Sequence, residues 1–237
     1  MKVLLLVDVQ NDFCPGGALA VPEGDRIVPI INKLVASKEF DLVIATRDFH
    51  PPGHVSFAET HKAQLFSQID INGGKQTMWP NHCVQGSAGA ELHPQLDRKA
   101  IHHVIHKGTN KEIDSYSAFF DNARASETPL RALLLTEAKR RGVEPGQITL
   151  SVCGLALDYC VAWSALDAQS LGFKTEVIVD ATRAVNLCSG DDLKTLRQLA
   201  ERGVSSAVSD EYLKPMQREV SRATTASARE RGVEVGR

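Results

Sequence analysis

Among the five cysteines of this 237-residue chain, Cys160 stands where a thiol could become a nucleophile. The sequence predicts a helix over Asp158–Leu171, which puts Cys160 in its first turn. Unpaired N–H groups and the helix dipole favour thiolate over thiol there. A nearby ammonium would act the same way, and a nearby carboxylate could take the thiol proton. Lys107 and Asp8 are the candidates for those two partners. Singly, each residue has a plainer fate: a free cysteine is usually a small buried hydrophobe, a lysine solvated, an aspartate a loop cap. Cys14, Cys83 and Cys188 lack the helix-start setting, and Cys153 falls inside a predicted strand.

A second set of residue types points to a metal ion. Asp48 and His50 are two positions apart, so in extended chain both side chains face one way. His54 and His82 lie in the same stretch of sequence. A carboxylate with imidazoles suits a divalent ion, zinc first, with iron, manganese and cobalt obeying similar logic. The D-x-H spacing alone is a weak signal. His102, His103 and His106 are not counted with it, because on a strand they divide between two faces and mark a partly exposed edge.

Something must bring these groups together. Apolar runs predict strands at Lys2–Asp8, Leu42–Thr46, His102–His106, Gln147–Cys153, Lys174–Val179 and Val204–Val208. Helical periodicity falls at Ile27–Ser37, Glu127–Arg141, Asp158–Leu171 and Asp191–Arg202. Strands alternating with helices, several without polar alternation, predict an α/β fold with a parallel sheet covered on both faces. Ligands of such sheets sit outside the carboxyl ends of the strands. Asp8, the Asp48/His50 pair, Lys107 and the Gly154–Cys160 segment each follow a different strand, at that one rim. Residues 47–101 show little periodicity, yet hold five of the eight histidines, four of the ten prolines and Trp79. Connections this long are uncommon and often functional, so this one reads as an ordered active-site excursion.

Composition narrows the partners. Hydrophobic residues make up 43% and charged residues 24%, which excludes a disordered chain. A net charge of −2 gives no reason to expect nucleic acid or an anionic membrane surface. The apolar run Val3–Val7 stops at Asp8, too short for a signal-peptide core or a membrane span. Five cysteines without a C-x-x-C pair fit neither a disulfide framework nor a zinc ribbon, so a cytoplasmic protein with free thiols is expected. Gln217–Arg237 is polar and reads as a surface helix or a tail.

Five segments together resemble a known family: VDVQNDFCPGGAL (7–19), TRDFHPPGHVSFA (46–58), MWPNHCVQGSAGAEL (78–92), KGTNKEIDSYSAFFD (107–121) and GLALDYCV (154–161). They are similar to the nicotinamidase/pyrazinamidase branch of the isochorismatase-like cysteine hydrolases, over about residues 1–213. The resemblance implies one hydrolase domain at 1–213, a C-terminal extension at 214–237, and a six-stranded parallel sheet of order 3-2-1-4-5-6 with helices on both faces. It implies hydrolysis of nicotinamide to nicotinate and ammonia, with pyrazinamide as a further substrate. Carried onto this chain, it makes Cys160 the nucleophile, Asp8 its base and Lys107 the charge stabiliser. The N–H groups of Ala156 and Cys160 become the oxyanion hole, with a cis Leu155–Ala156 peptide, and Leu155 falls with the substrate-binding residues. Asp48, His50 and His82 match metal ligands, His54 a ligand of some members only, and Phe13, Trp79 and Tyr116 the aromatic walls around the ring. Leu157 stands where the family often has Thr, and Phe13 where Trp is common. The implied partner is a small molecule, not nucleic acid or membrane. Past Met216, a homo-oligomer contact and a tail both stay open. Two other readings are weighed: an amidase or vinyl-ether hydrolase of the same superfamily, against which the D-x-H and W-P-x-H motifs speak, and a binding scaffold, against which the complete triad speaks.

Overall fold

Residues 3–7 carry no polar side chain, and a strand of that kind needs cover on both faces. A computed structural model, which describes residues 1–71 and 73–213, gives it that cover. Among the described residues, the strands and complete α-helices follow one another as β1 (Lys2–Val7), α1 (Val28–Ala36), β2 (Leu42–Asp48), α2 (Ala58–His61), β3 (Gln68–Ile71), β4 (Gly74–Thr77), β5 (His103–Lys107), α3 (Leu130–Arg140), β6 (Thr149–Leu155), α4 (Ala162–Ser170), β7 (Lys174–Arg183), α5 (Asp191–Glu201) and β8 (Ser205–Ala207). Six strands form one sheet in the order β5-β2-β1-β6-β7-β8, every neighbour parallel. Counted along the chain, that is the expected 3-2-1-4-5-6. The histidine-bearing strand β5 is at an edge, as its mixed pattern predicts.

The side-chain alternation of β1 divides the core in two. Val3, Leu5 and Val7 pack with Leu134 of α3, Ala165 of α4 and Leu199 of α5. Leu4 and Leu6 pack on the other face with Ile31 and Leu34 of α1. The second face has one long helix, and the excursion after β2 completes it: Trp79, Cys83, Ala90, Leu92 and Leu96 all join that cluster. The excursion is therefore part of the sheet's cover on that face as well as part of the site. It contains the short helix α2, a β3–β4 hairpin and isolated bridges, His50 to Val84 and Phe57 to Trp79 among them.

Two strand ends are shaped for what they carry. Gly154, at φ +115°, lies so close to β1 that a Cβ there would fall 2.1 Å from the Val7 carbonyl oxygen. Only glycine fits that approach. Across from it, Asp8 leaves β1 at φ +49°, a left-handed backbone that costs a non-glycine residue about 1–3 kcal/mol. Residues 214–237, expected as an extension, lie outside the described residues. No helix among those described is long and apolar enough to cross a membrane.

Candidate active site

Three strand ends converge on one buried ammonium. Lys107, the last residue of β5, is almost without solvent contact. Its Nζ lies 2.9 Å from Asp8 Oδ2 and 2.9 Å from Asp48 Oδ1. It donates to the Ser115 carbonyl at 2.9 Å and sits 3.4 Å from Cys160 Sγ. Burial alone would lower the Lys107 pKa, but Asp48 and Asp8 hold it well above the ordinary value. The two carboxylates that share this ammonium are driven apart. Burial raises the Asp8 pKa in spite of Lys107. Asp48, equally buried, is held well below the usual range by His50, Lys107 and hydrogen bonds from His50 and His82. A carboxyl raised by burial beside one held ionised is a pair able to divide the tasks of base and fixed anion. Asp8 is aimed by Thr46, whose hydroxyl donates to Asp8 Oδ1 at 2.6 Å and accepts from the Asp8 N–H at 3.1 Å.

Cys160 comes from the segment after β6. The peptide Leu155–Ala156 is cis, and residues Leu157–Val161 form a π-helical turn before α4 begins at Ala162. The expected α-helical first turn is thus a wider one, of the sort common at functional sites. Nor is the thiol a resting thiolate: burial pushes its pKa well up, beyond what Lys107 recovers. Asp8 is within hydrogen-bonding reach of the thiol and is the group available to take its proton.

At the other end of the cavity, donor atoms of Asp48, His50 and His82 lie within 4.8 Å of one another, all buried. Each histidine is tied down by one ring nitrogen. His50 Nδ1 meets the Gly108 carbonyl at 2.9 Å, His82 Nδ1 the Pro80 carbonyl at 2.7 Å, and His54 Nδ1 the Ser56 hydroxyl at 2.8 Å. A ring anchored through Nδ1 presents Nε2, the arrangement that outer-sphere partners impose on metal ligands. His50 Nε2 and His54 Nε2 are buried without a well-angled hydrogen bond. Burial would lower the His50 pKa, yet Asp48 raises it, so this corner favours a positive charge. His54 is pushed down to about 4, by burial and then by His50, and is neutral at pH 7. The donor set fits a divalent ion on Asp48, His50 and His82. His54 also groups with His50 and Asp114, their donor atoms within 4.8 Å of one another.

Between the thiol and the histidines lies a pocket walled by Phe13, Leu19, Trp79, Tyr116, Tyr159 and Val185. Asp48, His82 and Asp114 supply its polar side, and Ala156 and Cys160 its floor. Trp79 Nε1 donates to the Tyr116 hydroxyl at 3.1 Å, which fixes two of the walls against each other. A flat aromatic ring is the shape such walls hold best.

Residues 2–208 match the Isochorismatase domain family. The chain belongs to the isochorismatase family. Within it the similarity is to nicotinamidases. The nicotinamidase of Escherichia coli (strain K12) is 47% identical over 206 residues, covering 86% of this chain and 93% of that one. The solved nicotinamidase/pyrazinamidase of Acinetobacter baumanii is 41% identical, with a TM-score of 0.80 over 89% of this chain and 97% of that one. The pyrazinamidase of Pyrococcus horikoshii, solved in complex with zinc, is 33% identical, with a TM-score of 0.67 over 87% and 98%.

In this member of the family, the structure brings together Asp8, Lys107, Cys160, Asp48, His50, His54 and His82, and lines the pocket with Phe13, Trp79, Tyr116 and Ala156. Leu155 is different. Its side chain is wholly buried in the core cluster on the α1 face and is not among the residues that line the pocket. Alternation along β6 explains this, since Leu155 shares the face of Cys153. Sequence reasoning missed Gln10, which grips Asp48 by both backbone groups: its amide donates to the Asp48 carbonyl at 2.8 Å and its Oε1 accepts the Asp48 N–H at 2.7 Å. It missed Gly108, where a Cβ would fall 2.5 Å from His50 Cε1. It missed Asp114, Leu19 and Val185 as well. Gln10, Leu19, Gly108 and Asp114 lay within the quoted motifs, and the polar character of Gln10 and Asp114 was a usable sign; Val185 lay outside them.

Proposed function

We propose that this protein hydrolyses nicotinamide to nicotinate and ammonia, and deamidates pyrazinamide by the same route. One observation carries the reading: a single aromatic-walled pocket has a buried thiol with its base at one end and a histidine–aspartate donor set at the other. A carboxamide on a ring with its own nitrogen fits both ends at once.

Asp8 takes the Cys160 proton, and the thiolate sulfur forms a bond to the amide carbon. The C=O π pair moves onto oxygen, which the backbone N–H groups of Ala156 and Cys160 receive. Donors placed where charge develops are worth about 3–4 kcal/mol of transition-state stabilisation each. Asp8 returns its proton to the nitrogen, the C–N bond breaks and ammonia leaves a thioester. Water, deprotonated by Asp8, adds to the thioester carbon. The C–S bond then breaks to give the carboxylic acid and the thiol. Lys107 stays an ammonium throughout and keeps both carboxylates and the transient thiolate in balance. A divalent ion on Asp48, His50 and His82, zinc first among the candidates and with His54 beside it, would supply Lewis-acid anchoring of the ring nitrogen, directly or through water. Trp79, Tyr116 and Phe13 hold the ring faces and keep bulk water away from the sulfur. The product is the pyridine carboxylate that a pyridine-nucleotide salvage step would consume, in keeping with a cytoplasmic role.

The test is ammonia release by the purified, metal-loaded protein. Nicotinamide and pyrazinamide should both be turned over. Benzamide, which lacks the ring nitrogen, should be at least about tenfold poorer in kcat/KM, the scale of one lost anchoring contact. No ammonia from nicotinamide would end this reading, and equal rates with benzamide would remove the ring-nitrogen anchor from it.

A further inference from the structure

Asp158 belongs to the turn that carries Cys160, yet the chemistry above gives it no part. Its carboxylate reaches across to the connection between β7 and α5. There Oδ1 accepts the Val185 N–H at 2.9 Å and Oδ2 accepts the Asn186 N–H at 2.8 Å. Asn186 has φ +53°, the left-handed conformation that helps turn successive N–H groups toward one anion. Hydrogen bonds to an ionised carboxylate are about twice as strong as neutral ones. The far side of the connection is tied to the start of α5: Asn186 Oδ1 accepts the Asp192 N–H at 2.9 Å, and Asp191 Oδ2 accepts the Cys188 N–H at 2.9 Å. Val185, held between these ties, is a pocket wall in company with Tyr159 and Cys160. One side chain therefore joins the floor of the pocket, on the π-helical turn, to a wall that comes from another part of the sheet.

We infer that Asp158 is a positioning residue: by clamping Val185 against the turn that bears Cys160, it sets the width of the slot and restricts the amide substrate to a flat ring without bulky substituents. The inference rests on the amidase reading above. The clamp itself is a matter of structure and can be measured apart from that reading.

Two measurements test it. The first is backbone hydrogen exchange at Val185 and Asn186. Both amides should be protected in the wild type, and exchange at both should speed up by about tenfold or more in Asp158→Ala, as local opening becomes easier. Unprotected amides in the wild type would overturn the clamp, whether or not the protein is an amidase. The second is steady-state kinetics with nicotinamide and a ring-methylated nicotinamide. Asp158→Ala should raise KM for nicotinamide more than it lowers kcat. It should also shift the kcat/KM ratio by about tenfold toward the methylated ring, a change on the scale of one methyl group in a pocket. Asp158→Asn, which keeps the shape but can accept only through its one oxygen, should fall between. Val185→Ala opens the wall without touching the turn and should reproduce the shift in ring preference, even where Asp158→Ala fails to fold. Equal losses for both amides in Asp158→Ala, or an unchanged ring preference in Val185→Ala, would overturn the inference. If wild-type protein leaves nicotinamide intact, the amidase reading fails, and the exchange experiment alone decides whether the clamp exists.

Discussion

Asp8 and Lys107 reach the site from strand ends and Cys160 from the turn that follows β6, whereas His50, His54 and His82 reach it from a stretch with little regular structure. For the first group the hydrogen-bonded ladder of the sheet fixes where β1, β5 and β6 stop, and Thr46 and the Ser115 carbonyl then aim Asp8 and Lys107. The second group needs one anchor per ring: the Gly108 carbonyl, the Ser56 hydroxyl and the Pro80 carbonyl. Their carboxylate partner Asp48 is at the end of a strand, but it too is braced, by Gln10 from the loop after β1. Displacing the triad therefore means disturbing the sheet, while the histidines depend on contacts made ring by ring. Lys107 alone belongs to both groups, since it is paired with Asp8 and with Asp48.

The largest effect should come from the strand-borne half. Cys160→Ala should lower turnover of nicotinamide by at least ~10³-fold, because no other group in the pocket can form the thioester. Fold and bound metal should be unchanged by circular dichroism and metal analysis. Activity above a hundredth of wild type would move the nucleophile elsewhere.

Next comes the base. Asp8→Asn keeps the shape and removes the proton acceptor, a loss of about 10²–10⁴-fold. The pH profile sharpens this. Burial lifts the Asp8 pKa above the ordinary 3.8, and only its unprotonated form can accept the thiol proton. Wild-type kcat/KM should therefore fall on the acid side at a pH above the usual aspartate range, and the residual rate of Asp8→Asn should lack that limb. An identical acid limb in the variant would assign it to another group.

The smallest effect should come from the loop-borne half. His50→Ala should reduce metal to well below one ion per chain and raise KM for nicotinamide by about 10–100-fold, the range typical for disrupted metal sites. Iodoacetamide labelling of Cys160 should proceed as in wild type, located by peptide mass because Cys188 is exposed and will be labelled too. Full metal content in His50→Ala would remove the ligand assignment. Loss of Cys160 labelling would show that the two halves are not separable.

The same contrast explains what could be read from the sequence. β1 and β2 announced themselves because strands buried on both faces hold unbroken apolar runs, β6 and β7 through shorter apolar stretches, and the helices because one face repeats along them. Their order followed from the family resemblance, since periodicity carries no information about which strands are neighbours. The hairpin β3–β4 was not legible: QIDI and GKQT are short, half-exposed and mostly polar. The π-helical turn was read as ordinary helix, for a π turn differs by one extra residue and leaves no compositional trace. The thiol's high pKa was missed because the helix-start argument counts the dipole and not the depth of burial. Gln10 and Gly108 were missed because their partners, Asp48 and His50, lie 38 and 58 residues away.

The strand order also governs when the protein can first become active. Lys107 and Cys160 are 53 residues apart, and Asp8 comes from the opposite end of the chain. Every sheet contact that joins them is parallel, so each requires closing a long loop before any pairing is gained. A chain emerging from the ribosome holds Asp8, then the histidines, then Lys107, yet remains inert until β6 has threaded in beside β1 and delivered its thiol. Recovery of activity after dilution from denaturant is for that reason a reporter of complete sheet assembly, and no N-terminal fragment that stops short of residue 160 should display any of it.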